Sequence, residues 1–191
     1  MTTNPNNKYQ SNSYALPGDL DFHDELMRII RVNHAGEYGA KRIYEGQLAI
    51  FHHDSHTGTV IHHMAMQEKK HLDAFERLMV QHQVRPTLLQ PLWHQLGYGL
   101  GFITALLGSK AAMACTVGVE EAITEHYSRQ IKKLGNQNKE ISTLLEEFKQ
   151  DEQDHLDLSL QEGAEEAVAY PLMKHLIKKA TNVAIWLSER L

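Results

Sequence analysis

The sequence predicts an all-α protein. Apolar residues recur at helical spacing through every long segment, and no stretch has the period-two alternation of β-branched residues that a sheet requires. Glycine and proline gather between these segments, at Pro17-Gly18, Gly58, Pro86 to Pro91, Gly135 and Pro171. The 191 residues, 42% apolar and 23% charged, suffice for one domain with a substantial core. That domain is expected over residues 21–191, behind a mobile tail at residues 1–20.

The first helix is expected to start at the N-cap Asp21 and run to about His53, with an inner stripe of Leu26, Ile30, Asn33, Glu37, Ala40, Tyr44, Leu48 and Phe51. The second, from about Thr59 to Gln83, carries Ile61, Met64, Ala65, Glu68, His71, Leu72, Phe75, Leu78 and Met79 on one face. After a hydrophobic connection, the third bundle helix spans about Ser109 to Leu134 and its stripe includes Met113, Val117, Glu120, Ile123 and Tyr127. The fourth, about Asn138 to Glu162, offers Ile141, Leu145, Phe148, Glu152 and His155. A further amphipathic helix from about Pro171 has Leu172, Leu176, Ala180, Val183 and Leu187 on one face.

Four glutamates thus fall inside apolar stripes, where a lone carboxylate would take up a proton rather than stay charged. An internal repeat supplies a shared reason. Glu37 is followed 31 residues later by Glu68-Lys69-Lys70-His71, and Glu120 is followed 32 residues later by Glu152-Gln153-Asp154-His155. Residues at i and i+3 share a helix face, so each ExxH aims a carboxylate and an imidazole at one spot in the interior. Four carboxylates and two imidazoles suit two divalent iron or manganese ions, the arrangement of ferritin-like four-helix bundles. A single ExxH would read as a solvated surface pair; two matched copies favour metal.

Asp151, His126 and Tyr127 are candidates to support these ligands, Asp151 by accepting a hydrogen bond from a ligand imidazole. Each also has a plainer reading: Asp151 and His126 solvated, Tyr127 in the core. His52, His53, His56, His62 and His63 crowd the first interhelical turn without accompanying carboxylates and are read as an exposed turn. Between Pro86 and Val119 the one Asp, Glu, Lys or Arg is Lys110. This extra hydrophobic hairpin segment is either a buried internal helix or an interfacial one, since its apolar run is short for a span and its glycines weaken a straight helix.

A formal net charge of −5 gives no general attraction to nucleic acid, and none is expected as a partner. The single cysteine, Cys115, precludes an internal disulfide and any CxxC chemistry. Residues 1–20, rich in Asn, Ser, Thr and Gln, have neither a secretory hydrophobic region nor an Arg-rich transit pattern.

The stretch Arg31-Val32-Asn33-His34-Ala35-Gly36-Glu37-Tyr38-Gly39-Ala40, followed by Arg42-Ile43-Tyr44, resembles the opening motif of the demethoxyubiquinone hydroxylase family. Ala112 to Val117 with Val119-Glu120-Glu121, the Phe148 to His155 region and the closing Leu187-Ser188-Glu189-Arg190-Leu191 match that family in order and spacing. The resemblance implies iron ligands at Glu37, Glu68, His71, Glu120, Glu152 and His155, two iron ions, and O2-dependent ring hydroxylation of a polyprenylated 3-methyl-6-methoxy-1,4-benzoquinone. It departs at Asn33, where the family commonly has Asp, and the missing presequence points to a bacterial form. A lipid-borne quinone further implies a peripheral protein on the cytoplasmic face of the bacterial inner membrane, with an accessory protein of ubiquinone biosynthesis as a possible partner. The rival readings are a ferroxidase or rubrerythrin-like di-iron protein, and a metal-free helical scaffold.

Overall fold

A computed structural model describes residues 21–53 and 55–191; the tail expected at residues 1–20 lies outside them. The described residues form α1 (Phe22–Leu48), α2 (His56–His82), α3 (Gln90–Leu106), α4 (Ser109–Leu134), α5 (Lys139–Gln161) and α6 (Tyr170–Ser188), with a 3-10 turn at Ala164–Glu166 and no strand among them. Asp21 caps α1 by accepting from the Asp24 N–H at 2.8 Å. The helix stops short of His53 because the Ile50 N–H turns back to the Gln47 carbonyl, three residues behind it. Next, α2 starts at His56 rather than Thr59, since Ser55 Oγ accepts from the Gly58 N–H at 3.0 Å and so serves as the N-cap.

Helices α1, α2, α4 and α5 make the ferritin-like bundle, α1 packing along α2 and α4 along α5. One end of its interior is filled by Ile30, Phe75, Leu78, Leu145 and neighbours, the other by Ile61, Met64, Met113 and Val117. The glutamate and histidine positions lie between these two apolar clusters along every bundle helix.

The hydrophobic segment is one continuous helix, α3, which folds back on α4 at Gly108 and lies along α1. Glycines on both helices act as contact points: a Cβ at Gly101 of α3 would collide with the Ile43 carbonyl, and one at Gly46 of α1 with the Tyr98 carbonyl. On α4 lies α6, held by buried Ile177 and by Lys174 and Lys178, whose ammonium groups sit 2.7 and 3.3 Å from the Glu121 carboxylate. Trp93 Nε1 donates to Ser188 Oγ at 2.9 Å and ties α3 to α6. Those anchors turn the apolar stripe of α6 away from the bundle, so Leu172, Leu176, Val183 and Trp186 are exposed, as are Leu88, Leu92, Leu96, Ile103, Leu106 and Leu107 around α3. No helix of the described residues is long and apolar enough to cross a membrane.

Candidate metal centre

The six residues singled out by the repeat converge in the middle of the bundle, and each is at most 1% exposed. They form two overlapping groups whose ligand atoms lie within 4.8 Å of one another: Glu37, Glu68, His71 and Glu152, and Glu68, Glu120, Glu152 and His155. Glu68 and Glu152 belong to both groups, while Glu37 with His71 and Glu120 with His155 mark the two ends. Shared carboxylates flanked by one carboxylate and one imidazole at each end form a donor set that could hold divalent cations.

Both imidazoles turn Nδ1 inward. His71 Nδ1 lies 3.1 Å from Glu152 Oε1 and 3.4 Å from Glu37 Oε2, and His155 Nδ1 lies 3.1 Å from Glu152 Oε2 and 3.3 Å from Glu68 Oε1. Each Nε2 points outward to a support on the opposite helix. His71 Nε2 is 3.0 Å from Asp151 Oδ2, and His155 Nε2 is 3.1 Å from Gln67 Oε1. The terminal glutamates are held in the same paired way: the Tyr44 hydroxyl donates to Glu120 Oε1 at 3.0 Å, and the Tyr127 hydroxyl donates to Glu37 Oε1.

The buried charges of the cluster act strongly on one another. Burial, then the neighbouring charges of Glu152 and Glu37, raise Glu68 well above the usual carboxylate range; burial and Glu152 do the same to Glu120. Burial works against ionised Glu152, but hydrogen bonds from His155 and His71 hold it down at about 2. The imidazoles gain in turn: burial opposes their charge, yet hydrogen bonds to Glu152 and to a second glutamate push His71 to about 12 and His155 to about 11. Burial and nearby carboxylates raise both tyrosines well above the usual phenol value, so each remains a donor.

The donor set fits a pair of divalent metal ions. Glu68 Oε2 and Glu120 Oε2 are buried without a hydrogen-bond partner, and Glu37 Oε2 and Glu68 Oε1 meet only an imidazole Nδ1 at 3.4 and 3.3 Å, an arrangement that costs roughly 1–3 kcal/mol per unsatisfied group unless a cation takes up their lone pairs. Of the three expected supports, Asp151 and Tyr127 contact His71 and Glu37. His126 instead hydrogen-bonds Gln130 at 2.7 Å, which in turn meets Asn33. One residue removed from Tyr127, it is rotated about 100° around α4 and turned away from the glutamate and histidine cluster. Burial and the nearby arginines Arg129 and Arg28 lower it to about 4. The five histidines of the first turn are all exposed.

Tyr44 and Gln67 were missed as supports, although the repeat contains their signal. Tyr44 stands seven residues after Glu37 as Tyr127 does after Glu120, and Gln67 precedes Glu68 as Asp151 precedes Glu152.

A cavity of about 500 Å³ lies between α1, α3, α4 and α6, with Gly36, Ala40, Trp93, Leu96, Val119 and Leu187 among its apolar walls. Gly36 and Val119 immediately precede Glu37 and Glu120, so the cavity borders both terminal glutamates along the chain. A larger cleft of about 860 Å³ is bounded by Arg31, Arg85, His94 and Leu191, and its polar walls suit an apolar guest poorly.

Residues 24–188 match the family model described as Ubiquinone biosynthesis protein COQ7. The chain is 45% identical over 175 residues to the 3-demethoxyubiquinol 3-hydroxylase of Rhodospirillum rubrum, covering 92% of this chain and 82% of that protein. It is 51% identical over 168 residues to the human mitochondrial NADPH-dependent 3-demethoxyubiquinone 3-hydroxylase, covering 86% and 77%. Against the 5-demethoxyubiquinone hydroxylase of Saccharomyces cerevisiae it is 38% identical over 182 residues, covering 87% and 78%.

Proposed function

The chain belongs to the COQ7 family of ubiquinone biosynthesis proteins, and from that membership we propose that it is a 3-demethoxyubiquinol 3-hydroxylase with two iron ions as cofactor. The observation that carries the reading is the buried pair of overlapping glutamate and histidine groups in a chain so similar to named hydroxylases. The net change is a ring C–H replaced by C–OH. One atom of O2 enters the ring, the other leaves as water, and two electrons and two protons are consumed. Bound iron supplies the O2 chemistry. The electrons come from a reduced nicotinamide, as the names of the mitochondrial relatives suggest.

The chain's own residues hold the metals and keep water out. Glu37 and His71 would hold one ion and Glu120 and His155 the other, with Glu68 and Glu152 within reach of both. Tyr44 and Tyr127 orient the terminal glutamates through their hydroxyl protons, while the two apolar clusters above and below exclude competing water. The apolar cavity beside Gly36 and Val119 receives the quinone, with α3 and α6 as the walls through which a prenyl tail leaves.

The exposed leucines of α3 and α6 then seat the protein on a bilayer without crossing it, as a peripheral protein of the cytoplasmic face of a bacterial inner membrane. The test is direct. Protein reconstituted with ferrous iron, given a reductant, labelled O2 and a short-tailed demethoxyquinol, should place label in the new hydroxyl. Label arriving from water, or iron oxidation without quinone product, would replace the reading with a ferroxidase. Failure to retain any metal would favour a scaffold.

A further inference from the structure

Each half of the metal centre has an imidazole that turns Nδ1 to Glu152 and Nε2 to a support on the opposite helix, and the two supports differ in charge. Each imidazole sends Nε2 to the residue just before the glutamate of the opposite ExxH, but that residue is Asp151 for His71 and Gln67 for His155. A carboxylate accepting the Nε2–H leaves the other ring nitrogen richer in electron density than a neutral amide does, and it fixes the same tautomer more firmly. We propose that this difference in charge makes the two metal positions unequal, with Asp151 acting as a positioning residue that gives the His71 position the higher metal affinity.

The inference rests on the di-metal reading above. The support distances are matched at 3.0 and 3.1 Å, and both imidazoles turn Nδ1 toward Glu152 at 3.1 Å, so these distances favour neither imidazole and the chemistry of the acceptor separates them. Loss of such a support typically weakens metal binding by about 10- to 100-fold. The Asp151 side chain is 36% exposed, so water shares its charge and the lower end of that range applies. A position that holds its ion beside one that exchanges it gives the protein a half-loaded state with a defined occupant.

Full-length protein freed of metal and titrated without O2 with cobalt(II), against a chromophoric chelator, reads the two binding steps separately, and the cobalt absorption bands report each imidazole. In Asp151→Asn the first step should weaken by about tenfold while the second stays put. In Gln67→Glu the second step should tighten by a similar factor and the first stay put. Circular dichroism of both variants checks that the helices persist. Equal weakening of both steps in Asp151→Asn, or equal tightening in Gln67→Glu, means a structural or bulk-charge effect and overturns the proposal. So does an unchanged gap between the steps in both variants. Absence of any cobalt binding by the wild type instead removes the di-metal reading itself.

Discussion

The four bundle helices and the α3–α6 pair break the usual rule of burial in opposite directions. Inside the bundle, four glutamates and two histidines are at most 1% exposed; outside it, Ile103, Leu106, Leu172 and Leu176 stand at least 56% exposed. Each inversion is costly when the chain is alone in water, since buried carboxylates lack cations and exposed leucines lack an apolar neighbour. The contrast teaches where the missing partners belong. A cation answers the first violation, an apolar surface the second, and the cavity between α1, α3, α4 and α6 lies where the two regions meet.

The largest expected effect comes from the inner region. Glu152 meets both imidazoles and belongs to both ligand groups, so Glu152→Ala should abolish turnover and metal retention while leaving the helices formed. Turnover at the wild-type rate, or full metal by elemental analysis, would break the comparison at its inner side. The outer region should respond without any effect on metal. Replacing exposed Leu106 and Leu176 with Asp should lower partitioning onto phospholipid vesicles by about 100-fold, taking about 1.5 kcal/mol for each leucine side chain withdrawn from apolar surroundings. Sedimentation with vesicles measures this, and unchanged partitioning would mean the face meets something other than lipid.

The two regions were not equally legible in the sequence. The inner one could be read because helical spacing and the repeat are both local: Glu37, the 31-residue gap and ExxH recur as Glu120, a 32-residue gap and ExxH, and the structure gathers all six residues. Tyr44 looked like core because an aromatic in a helical stripe usually is, and its hydroxyl acquires a partner only when α4 is laid against α1. The outer region is a matter of assembly. An amphipathic α6 reveals an apolar face but not its direction, which the contacts of Lys174, Lys178 and Ile177 with α4 decide. Likewise Gly97 and Gly101 look like helix weakeners until α1 is seen to need the space they leave.

Protonation sharpens the comparison further, because it concerns the inner region alone. Without metal, Glu68 and Glu120 keep their protons well above the usual carboxylate range, and His71 and His155 keep theirs to about 12 and about 11. All four values are raised by folding, so the stability they contribute is greatest at low pH and falls as the unfolded chain ionises while the folded chain does not. The metal-free protein should therefore lose roughly 5 °C or more of Tm between pH 6 and pH 9. Metal requires the same groups deprotonated, so loading at neutral pH should release at least the two imidazolium protons of His71 and His155. Calorimetry in buffers of different ionisation heat counts them, and release of fewer than two would contradict the protonated cluster.

The smallest effect is expected where a mostly buried carboxylate already has its cations. Glu25, near the start of α1, lies 2.6 Å from Arg28 and 2.8 Å from Lys133, and although burial works against its charge these two partners hold it below the usual carboxylate value. Because its folded pKa is lowered, its contribution is present above the unfolded value of 4.5 and fades as pH falls through the folded one. Lys133 is 55% exposed, so solvent screens much of the attraction and Glu25→Gln should cost at most about 1 kcal/mol at pH 7. Thermal melts of wild type and variant should accordingly differ by only a few degrees at pH 7 and converge toward pH 3. Metal content and turnover should not change. A loss of metal in Glu25→Gln would mean that the glutamates of the bundle act as one coupled system, and that the distinction between a charge paired by the protein and a charge awaiting a metal does not hold.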